Sequence, residues 1–199
     1  MPEQRPENLL ESLLRTGKEI ILRPQCFFQN MPVLGGYTQP LLFATAVFIV
    51  ILLYNMLLLG TGLPFPNGKE VRGESMKDIL YRVPVLFVLW VTGLFIGATI
   101  LHGSFRLLKG SAPYQATFKI FAYSSVANLL TLVPLVGQYI STVYAFVLIM
   151  LGGKLVHGLS SPKAIAAPLL PALVLWLVLL AMVYTGIIPL EKIKSSLSY

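Results

Sequence analysis

From Ile79 to Leu190 the chain contains no aspartate or glutamate. That stretch therefore offers no carboxylate with which to bind a cation, relay a proton or act as a general acid. Cysteine is nearly as scarce. Cys26 stands alone, which excludes an intrachain disulfide and any cysteine-based metal cluster assembled within one chain. Charge is sparse as well: 12% of residues are charged, against about 25% in ordinary soluble domains, and a soluble core of this length is excluded. GxSxG and HExxH are missing, and no carboxylate is available to orient His102 or His157. The sequence thus predicts no catalytic residue, no metal site, no cofactor and no enzymatic activity. GGKL at Gly152 to Leu155 lacks the glycine spacing, the following Ser or Thr and the preceding strand of a phosphate loop. It reads as close helix packing followed by a snorkelling lysine.

What is abundant is apolar sequence, with 56% hydrophobic residues and a mean hydropathy of +0.77. Five long apolar stretches lie near residues 41-59, 83-103, 117-133, 136-156 and 164-188. Each is long enough to cross or nearly cross a bilayer core about 30 Å thick. The expected fold is all-α: a polytopic membrane protein with five transmembrane helices preceded by an N-terminal amphipathic helix. Residues 1-40 form the amphipathic and interfacial segment, 41-190 the membrane domain and 191-199 a short tail.

Residues 8-22 place Leu9, Leu10, Leu13, Leu14, Gly17, Ile20 and Ile21 on one helical face and Glu11, Arg15, Lys18 and Glu19 on the other. Asn8 followed by Glu11 has capping-box spacing. Such a helix lies flat in the headgroup region, packs against a partner, or docks on the protein's own cytosolic face. Mixed charges precede the first apolar run, unlike a secretory leader, so no cleavage is expected. Pro24, Pro32 and Pro40 punctuate the next segment, which predicts a short interfacial helix, a turn at Gly35-Gly36, and Phe27, Phe28 and Tyr37 at the membrane interface.

The connection at residues 60-75 is rich in Gly and Pro and predicts a loop, with an amphipathic approach around Met76 to Arg82. Gly93 and Gly97 have GxxxG spacing, which serves close packing within the chain or dimerisation; Gly152 and Gly153 are further packing positions. The short VPLVGQ connection forces an antiparallel hairpin. Ser161 as N-cap and Pro162 start the last helix, which Pro168 and Pro171 should kink or break.

Nine Lys and Arg residues fall on the N-terminal side of five crossings and six on the other, favouring a cytosolic N-terminus. The net charge of +7 resides at span ends rather than in a basic motif interleaved with aromatics, so no nucleic-acid partner is expected. Arg106, Lys109, Lys119, Lys154 and Lys163 share the cytosolic side with no acidic partner in the membrane half, and anionic lipid headgroups are their expected counter-charges.

A polar stripe runs along the third and fourth spans: Tyr123, Ser124, Ser125, Asn128 and Thr131, then Gln138, Ser141 and Thr142, with Tyr144 beyond. It serves as interhelical glue, with Asn128 expected to make a buried hydrogen bond, or lines a polar path for a small solute. His102-Gly103 and His157-Gly158 repeat at two cytosolic turns. Each reads as a helix C-terminus at which His meets the dipole and Gly takes the left-handed cap, rather than as a metal or proton site.

The block FAYSSVANLLTLVPLVGQYISTVYAFVLIMLGGKLVHGLSSPKAIAA from Phe121, with the approach RPQCFFQNMPVLGGYTQPL, resembles the Yip domain family, whose members are five-span membrane proteins related to Ypt/Rab-interacting proteins. Tyr123-Ser124-Ser125, Pro134, Gly137 and the turn from His157-Gly158 to Lys163 carry the resemblance over roughly residues 18 to 185. The short N-terminal segment is similar to the prokaryotic branch, which implies a prokaryotic cytoplasmic membrane. The eukaryotic Asp-Leu-Tyr-Gly-Pro motif has no clear equivalent, and Ala122-Tyr123 and Ala127-Asn128 depart from the family pattern, against Rab-type GTPase binding. The resemblance implies a non-catalytic, membrane-organising protein that binds lipid or a protein partner at its cytosolic face and self-associates. The alternative is a channel or transporter for a small neutral or anionic solute, lined by the third and fourth spans.

Overall fold

A computed structural model describes residues 8–61 and 76–184. Among the described residues the regular structure is entirely helical: α1 (Leu9–Leu22), α2 (Pro24–Asn30), α3 (Thr38–Thr61), α4 (Met76–Leu107), α5 (Tyr114–Ser124), a 3-10 helix (Ser125–Leu132), α6 (Gly137–Leu155) and α7 (Ser161–Tyr184). Among the described residues three segments are long and apolar enough to cross a membrane: Thr38–Thr61, Leu80–Leu107 and Gly137–Leu155. Most of the expected loop at 60-75, the end of the last apolar stretch and the tail at 191-199 lie outside the described residues.

Asn8 caps α1 with extended backbone, but its side chain makes no capping bond, so the expected reciprocal box with Glu11 does not form. The apolar face of α1 is divided. Ile20 is fully buried and Leu13 packs on the core, whereas Leu9, Leu10, Leu14 and Leu22 remain exposed. One strip docks on the bundle and a second points outward. Tyr144 of α6 fixes the docked end by donating to the carbonyls of Ile20 and Ile21 at 3.1 and 2.9 Å.

Pro24 opens α2, where a missing N–H costs nothing. The aromatics of this segment pack against the bundle. Phe28 is buried, Phe27 meets Tyr123 edge-on with centroids 5.1 Å apart, and Tyr37 meets Phe118 at the same separation. Edge-to-face pairs of this kind contribute about 0.5–1.5 kcal/mol beyond buried area.

α4 is continuous through Pro84, so the expected amphipathic approach is its first turns. It also runs past residue 103 and closes at Lys109, whose φ is 71°. The N–H of Lys109 returns to Arg106 O at 3.0 Å and that of Gly110 to Phe105 O at 2.7 Å, the paired bonds of a Schellman cap. Gly103 therefore lies inside a helix and does not cap one. Gly158, at φ 67°, does take the expected left-handed role after α6.

The segment at the centre is α5 with its 3-10 continuation, packed by α3, α4 and α6. Seven of its residues from Ala116 to Ser124 are buried. A single α-helical span was expected at 117-133; the structure instead changes helix type at Ser125 and keeps 3-10 geometry to Leu132, an unusually long run. Pro134 has no N–H to extend the ladder, and Val133 N–H bonds Leu130 O at 3.1 Å. The hairpin follows as expected, with Leu135 at φ 67° and Gly137 so close to Leu130 O that a Cβ would overlap it.

α7 starts one residue earlier than expected, since Ala164 N–H bonds Ser160 O at 2.9 Å, and it runs on through Pro168 and Pro171. A Cβ at Gly97 would meet the Phe121 ring at 2.5 Å, one at Gly152 would meet Ile120 at 2.5 Å, and one at Gly153 would meet Phe105 at 2.7 Å. These three are close-approach positions. A Cβ at Gly93 meets nothing within 4 Å.

Candidate functional site

The residues of the polar stripe do not act as one group. Ser124, Ser125 and Asn128 come together where α5 passes into the 3-10 helix, and they line a cleft of about 320 Å³. Trp90 and Gly93 of α4 form one wall, Ala145 and Ile149 of α6 the other, with Phe121 beside the serines. Both serine hydroxyls are buried and have no hydrogen-bond partner among the described residues. Asn128, expected to be buried, is exposed at the rim, because the change of helix type turns this position away from the core.

The remaining stripe residues are occupied elsewhere. Thr131 Oγ1 donates to Asn128 O at 2.6 Å and Thr142 Oγ1 to Gln138 O at 2.9 Å, both within their own segments. Tyr123 packs against Phe27 and Phe43, Ser141 is buried, and Gln138 is exposed in the first turn of α6.

A second constellation joins residues that sequence spacing kept apart. His102 Nδ1 of α4 lies 2.8 Å from Thr117 Oγ1 of α5, and that same oxygen lies 2.9 Å from His157 Nε2, in the turn after α6. His102 is thus not at a helix end; its partner is a hydroxyl, not the dipole. Thr117 has one proton to donate, so one imidazole must donate to it. His157 Nδ1 is buried and unpartnered among the described residues. A bare acceptor nitrogen is cheaper to bury than an orphaned N–H, which assigns His157 Nε2–H as donor to Thr117 and Thr117 as donor to His102 Nδ1. Burial, with His102 and Arg106 nearby, pushes His157 down to about 4. A neutral clasp across three elements is the result. Groups of three or more potential metal ligands are absent among the described residues.

The five basic residues also separate. Lys119 is buried, and its ammonium donates to Pro32 O at 2.7 Å and Leu34 O at 2.9 Å, tying the α2–α3 loop to α5. It offers no exposed charge to a headgroup. Arg106, Lys109, Lys154 and Lys163 are exposed. Ser111 draws their turns together: its N–H and its hydroxyl both donate to His157 O, at 3.2 and 3.3 Å. The turn after α4 and the turn after α6 therefore form one basic end.

Thr117 and the buried role of Lys119 were not legible as site features. The repeated His-Gly was a signal for the clasp, but its third member lies among apolar residues with no periodic mark. Glycine contacts sort the predicted packing set cleanly, with Gly97, Gly152 and Gly153 in close contact and Gly93 opening into the cleft.

No curated protein and no solved structure is significantly similar to this chain. A family model described as the Yip1 domain matches residues 18–183, from the last turns of α1 almost to the end of α7. The match encloses the central α5 segment, the hairpin and both histidine positions, and this membrane-integral chain belongs to the Yip1 domain family.

Proposed function

We propose that this protein is a five-span, non-catalytic component of a prokaryotic cytoplasmic membrane that binds anionic lipid headgroups at its cytosolic end. The carrying observation is the double hydrogen bond from Ser111 to His157 O, which unites the turns bearing Arg106, Lys109, Lys154 and Lys163. Near an anionic surface each such residue contributes about 1 kcal/mol. Helix lengths support five crossings. α5 with its 3-10 continuation extends about 32 Å, and α7 about 36 Å. The outward leucines of α1 suit contact with lipid.

A solute path through the third and fourth spans gains less support. Among the described residues only Ser124, Ser125 and Asn128 of the stripe line the cleft, while Thr131 and Thr142 satisfy themselves within their own segments.

Native mass spectrometry tests the lipid reading. A discrete number of bound anionic lipids is expected, lost when Arg106, Lys109 and Lys154 are together changed to glutamine. Equal retention of neutral lipid, or no change in the triple variant, sinks it. Topology is tested separately in a protein with Cys26→Ala: Ser12→Cys and Ser198→Cys should label from opposite faces.

A further inference from the structure

We propose that the cleft between α4 and α6 binds a neutral lipid whose head carries carbonyl oxygens. Helical Ser and Thr usually give their hydroxyl proton to a carbonyl one turn back. Thr99 and Thr142 do so here, at 2.8 and 2.9 Å. Ser124 and Ser125 do not, although they are only 3% and 8% exposed and no other described group accepts from them. Two adjacent uncommitted hydroxyls thus lie just beneath the floor of the cleft, with Asn128 at its rim. All three can donate, so the matching ligand presents acceptors.

Charge and depth narrow the class. The residues lining the cleft include no Asp, Glu, Lys, Arg or His, so nothing there compensates an ionic head. Ser124 lies ten residues into α5 from Tyr114, about 15 Å along the axis. With α5 taken as the third of the five proposed spans and Tyr114 at its edge, that is roughly half the thickness of a hydrocarbon core. A phosphate does not reside at that depth; a quinone ring or the ester carbonyls of a diacylglycerol can be drawn there. About 320 Å³ is at the small end of ligand pockets, room for a compact head but not for its chains. Trp90 and Phe121 supply flat apolar surface, and Gly93 opens space where a side chain would fill it. The site is separate from the basic end and stands or falls independently of it.

Trp90 is a reporter within the cleft, and Trp176→Phe removes the only other tryptophan. The protein would be placed in phosphatidylcholine nanodiscs and titrated with a decyl-benzoquinone or, separately, a brominated diacylglycerol. Saturable quenching at one probe per protein is expected from one of the two, and whichever saturates identifies the source. Affinity should fall at least tenfold in Ser124→Ala/Ser125→Ala and be lost in Gly93→Leu, with Asn128→Leu as an independent rim variant that weakens binding without touching the core. Quenching that only rises in proportion to probe, as brominated phosphatidylcholine would give, overturns the proposal. So does saturable quenching unchanged in all three variants.

Discussion

His157 Nε2 lies 2.9 Å from the hydroxyl of Thr117, forty residues earlier in the chain, and His102 Nδ1 lies 2.8 Å from the same oxygen. One hydroxyl therefore fastens the last turns of α4, the first turn of α5 and the turn following α6.

Replacing that hydroxyl should be costly. Thr117→Val keeps the shape but leaves two imidazoles facing a methyl group, and each unsatisfied polar group costs about 1–3 kcal/mol. We expect the melting temperature in detergent to fall by about 5 °C or more, while Thr117→Ser stays near wild type. A Val variant as stable as the parent would remove the clasp from the account.

The pH dependence has a definite sign. His157 is pushed below its ordinary 6.5 to about 4, so the folded protein binds fewer protons than the unfolded chain between those values. Its contribution to stability is full above about pH 6.5 and is lost as pH falls toward 4. The charged or titratable neighbours responsible are His102 and Arg106, both on α4. His157→Gln preserves an amide near the Nε2 position without titrating, and thermal unfolding of that variant should decline less across this window than wild type.

Lys119 is expected to govern the α2–α3 loop. Hydrogen bonds from a charged donor contribute about 1.5–3 kcal/mol, so Lys119→Met should raise amide exchange in residues 31-37 at least tenfold while α6 is unaffected. Exchange unchanged in that loop would mean that Pro32 and Leu34 are held by something else.

Two glycines four residues apart should respond oppositely to the same change. Gly97→Ala places a methyl 2.5 Å from the Phe121 ring and should cost about 1–3 kcal/mol. Gly93→Ala meets nothing within 4 Å and should be nearly neutral. Paired thermal unfolding curves check this, and equal losses would contradict the packing described.

The sequence alone determined membrane integration, helical class, the tight hairpin at Pro134 to Gly137 and the family, because these depend on local windows: apolar length, a missing proline donor, a short connection. Tertiary structure decided what each polar residue does. Ser124, Ser125 and Asn128 looked alike as members of one stripe, yet at the change to 3-10 geometry the two serine hydroxyls are buried beneath a cleft and Asn128 is exposed at its rim. Lys119 was indistinguishable from Lys154 by composition, but rotation of α5 about its axis pointed it at two loop carbonyls. His102 and His157 became partners only because the packing of α4, α5 and α6 set Thr117 between them. Partner choice depends on which helix faces meet and at what depth, and those relations are made by packing between segments far apart in the chain.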